Sequence, residues 1–456
     1  MTQTTTTTIT FRDILESVDL RFSPKYFLVS QKIGKIETSP KITIKTLGEV
    51  TDYIISGSYI PKYSLSGTPY LRVANIKSFE LNLNNDDIVF INEQEVEIPN
   101  KIKTAKHDIL IGRTAVLGFA SLSNDLSNRS IISQHLTRLK AKEIPAGYLV
   151  AFLNSSLFKK QMDVASYGIT RTELTHQQLK SVKVIIPEEK VLNEINNLVI
   201  KADQSHVLAI SKIKDAKHLL EEALNINHQK INEDKVYSVN SSDLTDVLTP
   251  KFYYPKYLNT LKALKKKFKT IKLGEIADIK RGDEVGSKNY RKYVDRKDSD
   301  VPFIRTSDLV NYEIDNYPDY YLDEEIYKEL KQDLEAGDII YTKDGKIGLP
   351  AILTKEDKCI LASGLARIRI KKELNPYYVF LVLSTNISLY QAMQRVVIAA
   401  TLPHLQQERL GEIEIPIING QTQDQISQLV AEAFKLKTEK KKLFREALTK
   451  VEELLK

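Results

Sequence analysis

The sequence predicts an α+β chain in which one mixed domain of short strands and helices occurs twice, each copy followed by a long helix. Three observations carry this. First, from Leu192 the apolar residues recur at heptad spacing: Ile195, Val199, Ala202, Ala209, Ile213, Ala216, Leu220 and Ala223, with His206 as the polar member. Second, a matching seam begins at Ile426 and runs through Val430, Ala433, Lys437, Lys440, Phe444, Ala447, Val451 and Leu454, displaced by a constant 231 (426 − 195, 444 − 213, 454 − 223). Third, short motifs repeat ahead of each seam in one order, as an internal duplication requires. Two heptad helices in one chain can bury their seams on each other. Ile195, Val199, Ile213, Leu220, Val430, Phe444, Val451 and Leu454 are the packing residues expected. Lys437 and Lys440 interrupt the second seam, so the contact there is expected to open to water or to a partner subunit.

The repeated motifs are specific in order rather than in composition. Phe22-Ser23-Pro24-Lys25-Tyr26 returns as Tyr253-Tyr254-Pro255-Lys256-Tyr257, and Leu47-Gly48-Glu49-Val50 as Leu273-Gly274-Glu275-Ile276. Tyr70-Leu71-Arg72 returns as Phe303-Ile304-Arg305, and Asp108-Ile109-Leu110 with Gly118 as Asp338-Ile339-Ile340 with Gly348. Leu174, Leu179 and Val182 return as Leu405, Leu410 and Ile413. The offset drifts and recovers, so the copies share a scaffold and differ by loop insertions.

In chain order, residues 11–40 read as a short helical lead ending near Pro24, then an irregular segment. β-Branched and aromatic runs predict strands at Ile42–Val50, Tyr70–Ile76, Ile88–Asn92 and Asp108–Ile111. A helix follows Pro145, and a strand at Val182–Ile186 stops at Pro187. Residues 227–250 read as a polar connector leading to a second lead helix. The order then repeats: Ile271–Lys280, Pro302–Asp308, Asp338–Thr342, a helix from Pro376, Ile413–Ile417 and the terminal helix. The strands lack regular strand–helix–strand spacing, which argues against a doubly wound parallel sheet.

At 456 residues the chain can hold two or three domains, and 42% hydrophobic with 27% charged residues is ordinary globular composition. An excess of 66 basic over 59 acidic residues permits an anionic partner without demanding one. One cysteine, Cys359, excludes an internal disulfide and a Cys-rich zinc site and suits a reducing cytoplasm. The threonine-rich start is no signal peptide, and the longest apolar runs are too short to span a bilayer, so no membrane partner is expected.

Catalytic motifs are weak. Asn375-Pro376-Tyr377-Tyr378 approaches the Asn-Pro-Pro-Tyr motif of adenine-N6 methyltransferases but lacks the second proline, and reads better as a helix start. Asp319, Asp344 and Lys346 loosely fit the carboxylate–lysine pattern of metal-dependent nucleases, and Lys343 to Gly348 reads better as a turn. The seven histidines show no metal spacing, His206 on the seam suits register, and no glycine-rich turn for a cofactor appears. No cofactor and no metal are expected.

The irregular stretches are richer. The first copy has Tyr59, Lys62, Tyr63, Arg72 and Arg113, with Arg171 further on. The second has Arg281, Lys288, Asn289, Tyr290, Arg291, Lys292, Tyr293, Arg296 and Lys297, then Arg305, Lys343 and Lys346. Such side chains in loops suit phosphate contact and base-edge readout, and they concentrate where the copies diverge.

The doubled order of motifs, each set ending in a heptad helix, resembles the specificity subunit of Type I restriction-modification systems over nearly the whole chain. The resemblance implies a non-catalytic, cytoplasmic subunit. Its two target-recognition domains (1–190 and 251–419) each read half of a bipartite site in double-stranded DNA. Its two long helices (191–226 and 420–456, around a 227–250 connector) pack as an antiparallel coiled-coil spacer. It further implies adenine-N6 DNA methyltransferase (M) subunits docked on the helices and a motor-nuclease (R) subunit able to join. The copies differ in their loops, so the site is expected to be asymmetric. The lead segments depart from many family members and leave open a related Type II system with a separate specificity subunit. A metal-dependent nuclease and a protein-binding scaffold are the rivals from other classes. A helix of about 33 residues spans roughly 50 Å, enough to reach grooves one turn, ~34–36 Å, apart.

Overall fold

Pro24 opens a helix instead of ending one. A computed structural model of the chain describes residues 24–37, 41–83, 88–114, 117–165, 174–225, 236–245, 247–284, 301–371, 374–399 and 402–456. In it, α1 spans Pro24–Glu37, and the second signature likewise places Pro255 in the first turn of the helix Pro255–Lys267. Proline suits that position because a first-turn amide has no intrahelical acceptor to lose. The irregular segment expected after Pro24 is thereby corrected, and the lead helix expected ahead of it, over 11–23, lies outside the described residues.

The chain divides into two compact units, Met1–Val207 with Glu439–Lys456, and Leu208–Thr438. Unit 1 contains β1 (Thr43–Thr46), β2 (Thr51–Ser56), β3 (Thr68–Leu71), β4 (Val89–Ile91), β5 (Ile109–Gly112), β6 (Ala120–Leu122), β7 (Ile131–Ile132) and β8 (Leu136–Ala141). They are followed by α2 (Ala146–Phe152), α3 (Ser156–Ala165), α4 (His176–Ser181), β9 (Lys183–Ile186) and the start of α5 (Glu189–Leu224). An antiparallel sheet runs β2-β8-β5-β6, a second runs β4-β3-β7 with β3 parallel to β7, and β1 pairs with β9.

Unit 2 begins with the rest of α5 and continues through α6 (Pro255–Lys267), β10 (Lys269–Lys272), α7 (Leu273–Ile276), β11 (Ala277–Arg281), β12 (Val301–Ile304), β13 (Leu309–Val310), β14 (Glu313–Ile314) and β15 (Tyr321–Leu322). Next come α8 (Glu324–Leu330), β16 (Ile339–Thr342), β17 (Pro350–Ile352), β18 (Ile360–Leu361), β19 (Leu365–Ile370), α9 (Pro376–Leu383) and α10 (Asn386–Arg395). The hairpin β20 (Val397–Ala399) and β21 (Leu402–His404), then α11 (Gln407–Gly411), β22 (Glu414–Ile417) and α12 (Gly420–Leu454) complete the order. Its sheets repeat those of unit 1: β11-β19-β16-β17, β15-β12-β18 with β12 parallel to β18, and β10 with β22.

Each repeated motif is a local device that builds this frame. Asp108 and Asp338 accept from the backbone N–H three residues back, Ala105 at 2.7 Å and Glu335 at 2.8 Å, closing the turn before a central strand. The arginine after Tyr-Leu and Phe-Ile ends a strand, and its N–H donates to Asn75 Oδ1 at 2.8 Å in one copy and Asp308 Oδ2 at 2.9 Å in the other. Leu47 and Leu273 are fully buried and donate their N–H to the carbonyls of Val182 (2.7 Å) and Ile413 (2.9 Å). Asn375 caps α9, its side chain accepting from Tyr377 N–H at 2.9 Å, so Asn375-Pro376 is a helix start.

Within unit 1, Lys201 pairs with Glu439 and Lys450 with Glu194, both at 2.8 Å, so these stretches of α5 and α12 run antiparallel. Ile195, Val199, Phe444 and Val451 are buried, and Phe444 stacks on Phe79 with ring centroids 4.6 Å apart. Leu454 is only half-buried, and the adjacent Leu455, one residue past the end of α12, is the buried one. Within unit 2, Ile213 and Leu220 from α5 join Val430 and Phe434 from α12 in one core with α9, β16 and β19. There Lys212 pairs with Glu432 at 2.5 Å.

The expectation of an open contact at Lys437 and Lys440 is overturned. Lys437 is 0% and Lys440 1% exposed. In unit 2 the Lys437 ammonium donates to the Asn311 carbonyl at 2.7 Å and Glu313 Oε1 at 3.1 Å. In unit 1 the Lys440 ammonium donates to Glu80 Oε2 at 2.8 Å, and His206 Nδ1 lies 3.3 Å from that same oxygen. The breaks in the apolar seam are buried ionic anchors, Lys437 to Glu313 within unit 2 and Lys440 to Glu80 within unit 1.

Candidate nucleic-acid interface

In unit 1 the basic residues gather where strands end. β2 ends at Ser56, β5 is followed by Arg113, and α4 starts at His176. Arg113 Nη1 donates to Ser56 Oγ at 3.0 Å, and Ser56 Oγ lies 2.7 Å from His176 Nε2. Ser56 Oγ also lies 3.2 Å from Thr137 Oγ1, so the hydroxyl joins the guanidinium, the histidine and a threonine of β8. Burial, then the charges of Arg113 and Lys180, hold the His176 pKa below its ordinary value. Arg113 also donates its N–H to the His135 carbonyl at 3.0 Å and accepts from Leu174 N–H at 3.1 Å. Arg72 follows β3, and the parallel pairing Leu71↔Ile132 brings it beside the same strand ends. Lys62 and Tyr63 lie in the exposed loop between β2 and β3, where Lys62 pairs with Glu95. Arg171 lies outside the described residues.

Unit 2 rebuilds this edge with different side chains. Lys343 occupies the place of Arg113, donating its N–H to the Gly364 carbonyl at 2.9 Å and accepting from Leu405 N–H at 2.8 Å. Its side chain is buried, with the ammonium 3.3 Å from both oxygens of Asp344, which also binds His404 Nδ1. Lys343 thus supports the edge and does not present its charge outward. Arg305 holds Asp308 at 3.3 Å and Asp319 at 3.0 Å, and its guanidinium lies 4.0 Å from the Tyr320 ring centroid. Arg281 ends β11 and is exposed, and Lys346 is partly exposed. Lys288, Tyr290, Arg291 and Lys292, the densest part of the expected surface, lie outside the described residues.

Both edges need a glycine for a close backbone approach. A Cβ at Gly57 would sit 2.0 Å from the Ile132 carbonyl oxygen, and one at Gly282 2.4 Å from that of Ala362. Sequence reasoning passed over Ser56, His176 and the Asp344–His404 pair. The histidines offered no ligand spacing, and the only local signal at Ser56 was a turn. The suggested nuclease carboxylates are taken up separately, Asp319 by Arg305 and Asp344 by Lys343 and His404. Among the described residues neither belongs to a cluster of three or more metal-ligating side chains. No helix among them is long and apolar enough to cross a membrane.

No curated relative matches the chain. Solved structures are similar at low identity. The Type-I restriction-modification system S subunit from M. genitalium is 17% identical over 91% of this chain and 95% of its own, with a TM-score of 0.36. The HsdS subunit from Thermoanaerobacter tengcongensis is 15% identical over 91% and 97%, with a TM-score of 0.28. A chain from work on complex assembly and conformational transition of the type I R-M system is 14% identical over 92% and 98%, with a TM-score of 0.31. The family model described as the Type I restriction modification DNA specificity domain matches twice, at residues 41–225 and 265–445. With both copies matched over most of its length, the chain belongs to the Type I restriction modification DNA specificity domain family.

Proposed function

We propose that this chain is the DNA-recognition subunit of a restriction-modification complex and leaves the chemistry to its partners. Each recognition module, within 1–190 and 251–419, binds one half of a bipartite, asymmetric site in double-stranded DNA. The long helices, within 191–226 and 420–456, set the spacing of the half-sites and dock adenine-N6 methyltransferase subunits. A motor-nuclease subunit joins that assembly. The observation that carries the reading is the repeat-related strand edge, with Arg72 and Arg113 in one copy and Arg305 and Lys343 in the other, inside two matches to a DNA specificity domain. The same frame carrying different polar side chains is what two modules reading different sequences require.

The contact residues proposed are Lys62, Tyr63, Arg72, Arg113 and Arg171 in the first module. In the second they are Arg281, Lys288, Tyr290, Arg291, Lys292, Arg305 and Lys346, supported from beneath by Lys343. Titration of the purified full chain with duplex DNA at several salt concentrations tests the reading. Log affinity should fall linearly with log salt, as expected when counterions leave the phosphates. Binding that ignores salt would contradict it, and Mg²⁺-dependent cleavage by the chain alone would favour the nuclease built on Asp319, Asp344 and Lys346.

A further inference from the structure

The loop from Gly57 to Gly67 exposes apolar side chains on a frame that is fully tied down. Tyr59 is 65%, Tyr63 47% and Leu65 101% exposed, three of the nine large exposed hydrophobic residues among those described. Single exposed leucines are common, but this cluster does not dangle. Ile60 is buried in the same core as Tyr70 and Leu71. Ser64 donates its N–H to the Phe90 carbonyl at 2.8 Å and its hydroxyl to the Ser66 carbonyl at 2.6 Å, and Tyr70 Oη donates to the Ser58 carbonyl at 2.8 Å. Gly67 has φ +131°, and a Cβ there would sit 2.4 Å from the Ile91 carbonyl oxygen. Backbone pairing therefore fixes where Leu65 projects. The frame forgoes the stabilisation that burying such a side chain gives.

The surroundings indicate what covers it. The loop leaves β2 at Ser56, which holds Arg113 and His176, and returns through β3 to Arg72, with Lys62 between the two exposed tyrosines. The tips are flanked by Arg72, Arg113 and Lys62, the last paired with Glu95, and cations beside aliphatic and aromatic tips fit a nucleic-acid duplex, whose phosphates meet the charges and whose base steps accept an apolar wedge. We propose that Leu65, backed by Tyr63, is such a wedge, inserting at one base step of the half-site bound by the first module. This rests on the DNA-recognition reading above and adds to it a residue that reads how easily one step opens.

The test uses the full chain bound to a duplex it has itself enriched from a random pool. 2-Aminopurine or pyrrolocytosine is substituted one position at a time through both half-sites. The expected result is a several-fold fluorescence rise at one step of one half-site. Leu65→Ala should abolish the rise and lower affinity about tenfold or more, with the salt slope unchanged because no phosphate contact is lost. Leu65→Phe should retain the rise. A complex without any rise, with Leu65→Ala binding like wild type, would overturn the wedge and leave DNA recognition standing. Leu65→Ala that loses a protein partner while binding DNA normally would assign the loop to that partner instead. Failure to bind any duplex would overturn the DNA reading, and the wedge with it.

Discussion

Lys437 and Glu313 pair at 3.1 Å with neither side chain exposed to solvent. Lys437 stands 231 residues after His206 (437 − 206), and Glu313 stands 233 after Glu80 (313 − 80), so the pair repeats the His206–Glu80 contact of the first copy. A helix position that would be apolar in an ordinary heptad seam fastens each helix to its own module in both copies. Burying two charges is costly, and the cost is recovered only while both partners and their hydrogen bonds remain.

Removing one member should therefore be severe. Lys437→Met takes the Lys437 ammonium away from the buried Glu313 carboxylate and is expected to cost about 3–5 kcal/mol, read from urea unfolding. Replacing both residues with apolar side chains of similar volume should recover most of that. A single-variant loss below about 0.5 kcal/mol would show that the pair behaves like a surface ion pair.

Asp203 gives a pH signature in unit 1. Burial raises its pKa to about 6, opposed by the Asn124 amide that donates to it at 2.6 Å and by Lys106, and reinforced by Asp125 and Glu80. An acid whose folded pKa lies above its unfolded value stabilises the fold while protonated. That contribution is complete below about pH 4 and is lost as pH rises through about 6. Asp203→Asn should accordingly be more stable than wild type at pH 7–8, by about 1–3 kcal/mol, with the difference shrinking toward pH 4. Chemical denaturation across that range checks it, and a pH-independent difference would refute the assignment.

Arg72 and Arg305 are the clearest repeat-related contact candidates. Alanine at either should weaken binding to the full site and lower the salt slope by about one. Arg291→Ala with Lys292→Ala should act in the same direction on the second half-site. Unchanged affinity at two salt concentrations would remove these residues from the interface.

Much of the frame was legible because it is written twice. Leu47 and Leu273, Asp108 and Asp338, and Arg72 and Arg305 hold matching backbone turns, so their recurrence exposes the duplication even where side chains diverge. The central strands β8 and β19 were missed. Their leading four residues are all buried, which erases the two-residue alternation, and an arginine stands among them in each copy, Arg138 paired with Asp108 and Arg367 with Asp278. Lys437 and Lys440 looked like gaps in a seam because their carboxylate partners lie 124 and 360 residues away in sequence. The site was half visible: arginines in loops were conspicuous, but Ser56 and His176 acquire meaning only once the fold places them against Arg113.

The helices as a ruler make a separate prediction. One heptad inserted into both α5 and α12 keeps each apolar stripe in phase and lengthens each helix by ~10 Å at ~1.5 Å per residue. That corresponds to about 3 base pairs at 3.4 Å per step. Selection from a library of spacer lengths should then favour a longer spacer, or binding should fail because the modules no longer follow the DNA twist. An unchanged preferred spacer in a folded variant would reduce the helices to docking surfaces.

Enrichment of random duplexes by the chain tests most directly the proposal that it carries two different readers of DNA. Two short conserved blocks of unlike sequence, separated by a gap of fixed length and no preferred sequence, are expected. Substitution of Arg72 or Arg113 should disturb only one block, and substitution of Arg305 only the other. Recovery of a single continuous block, or of no enriched sequence at all, would contradict it.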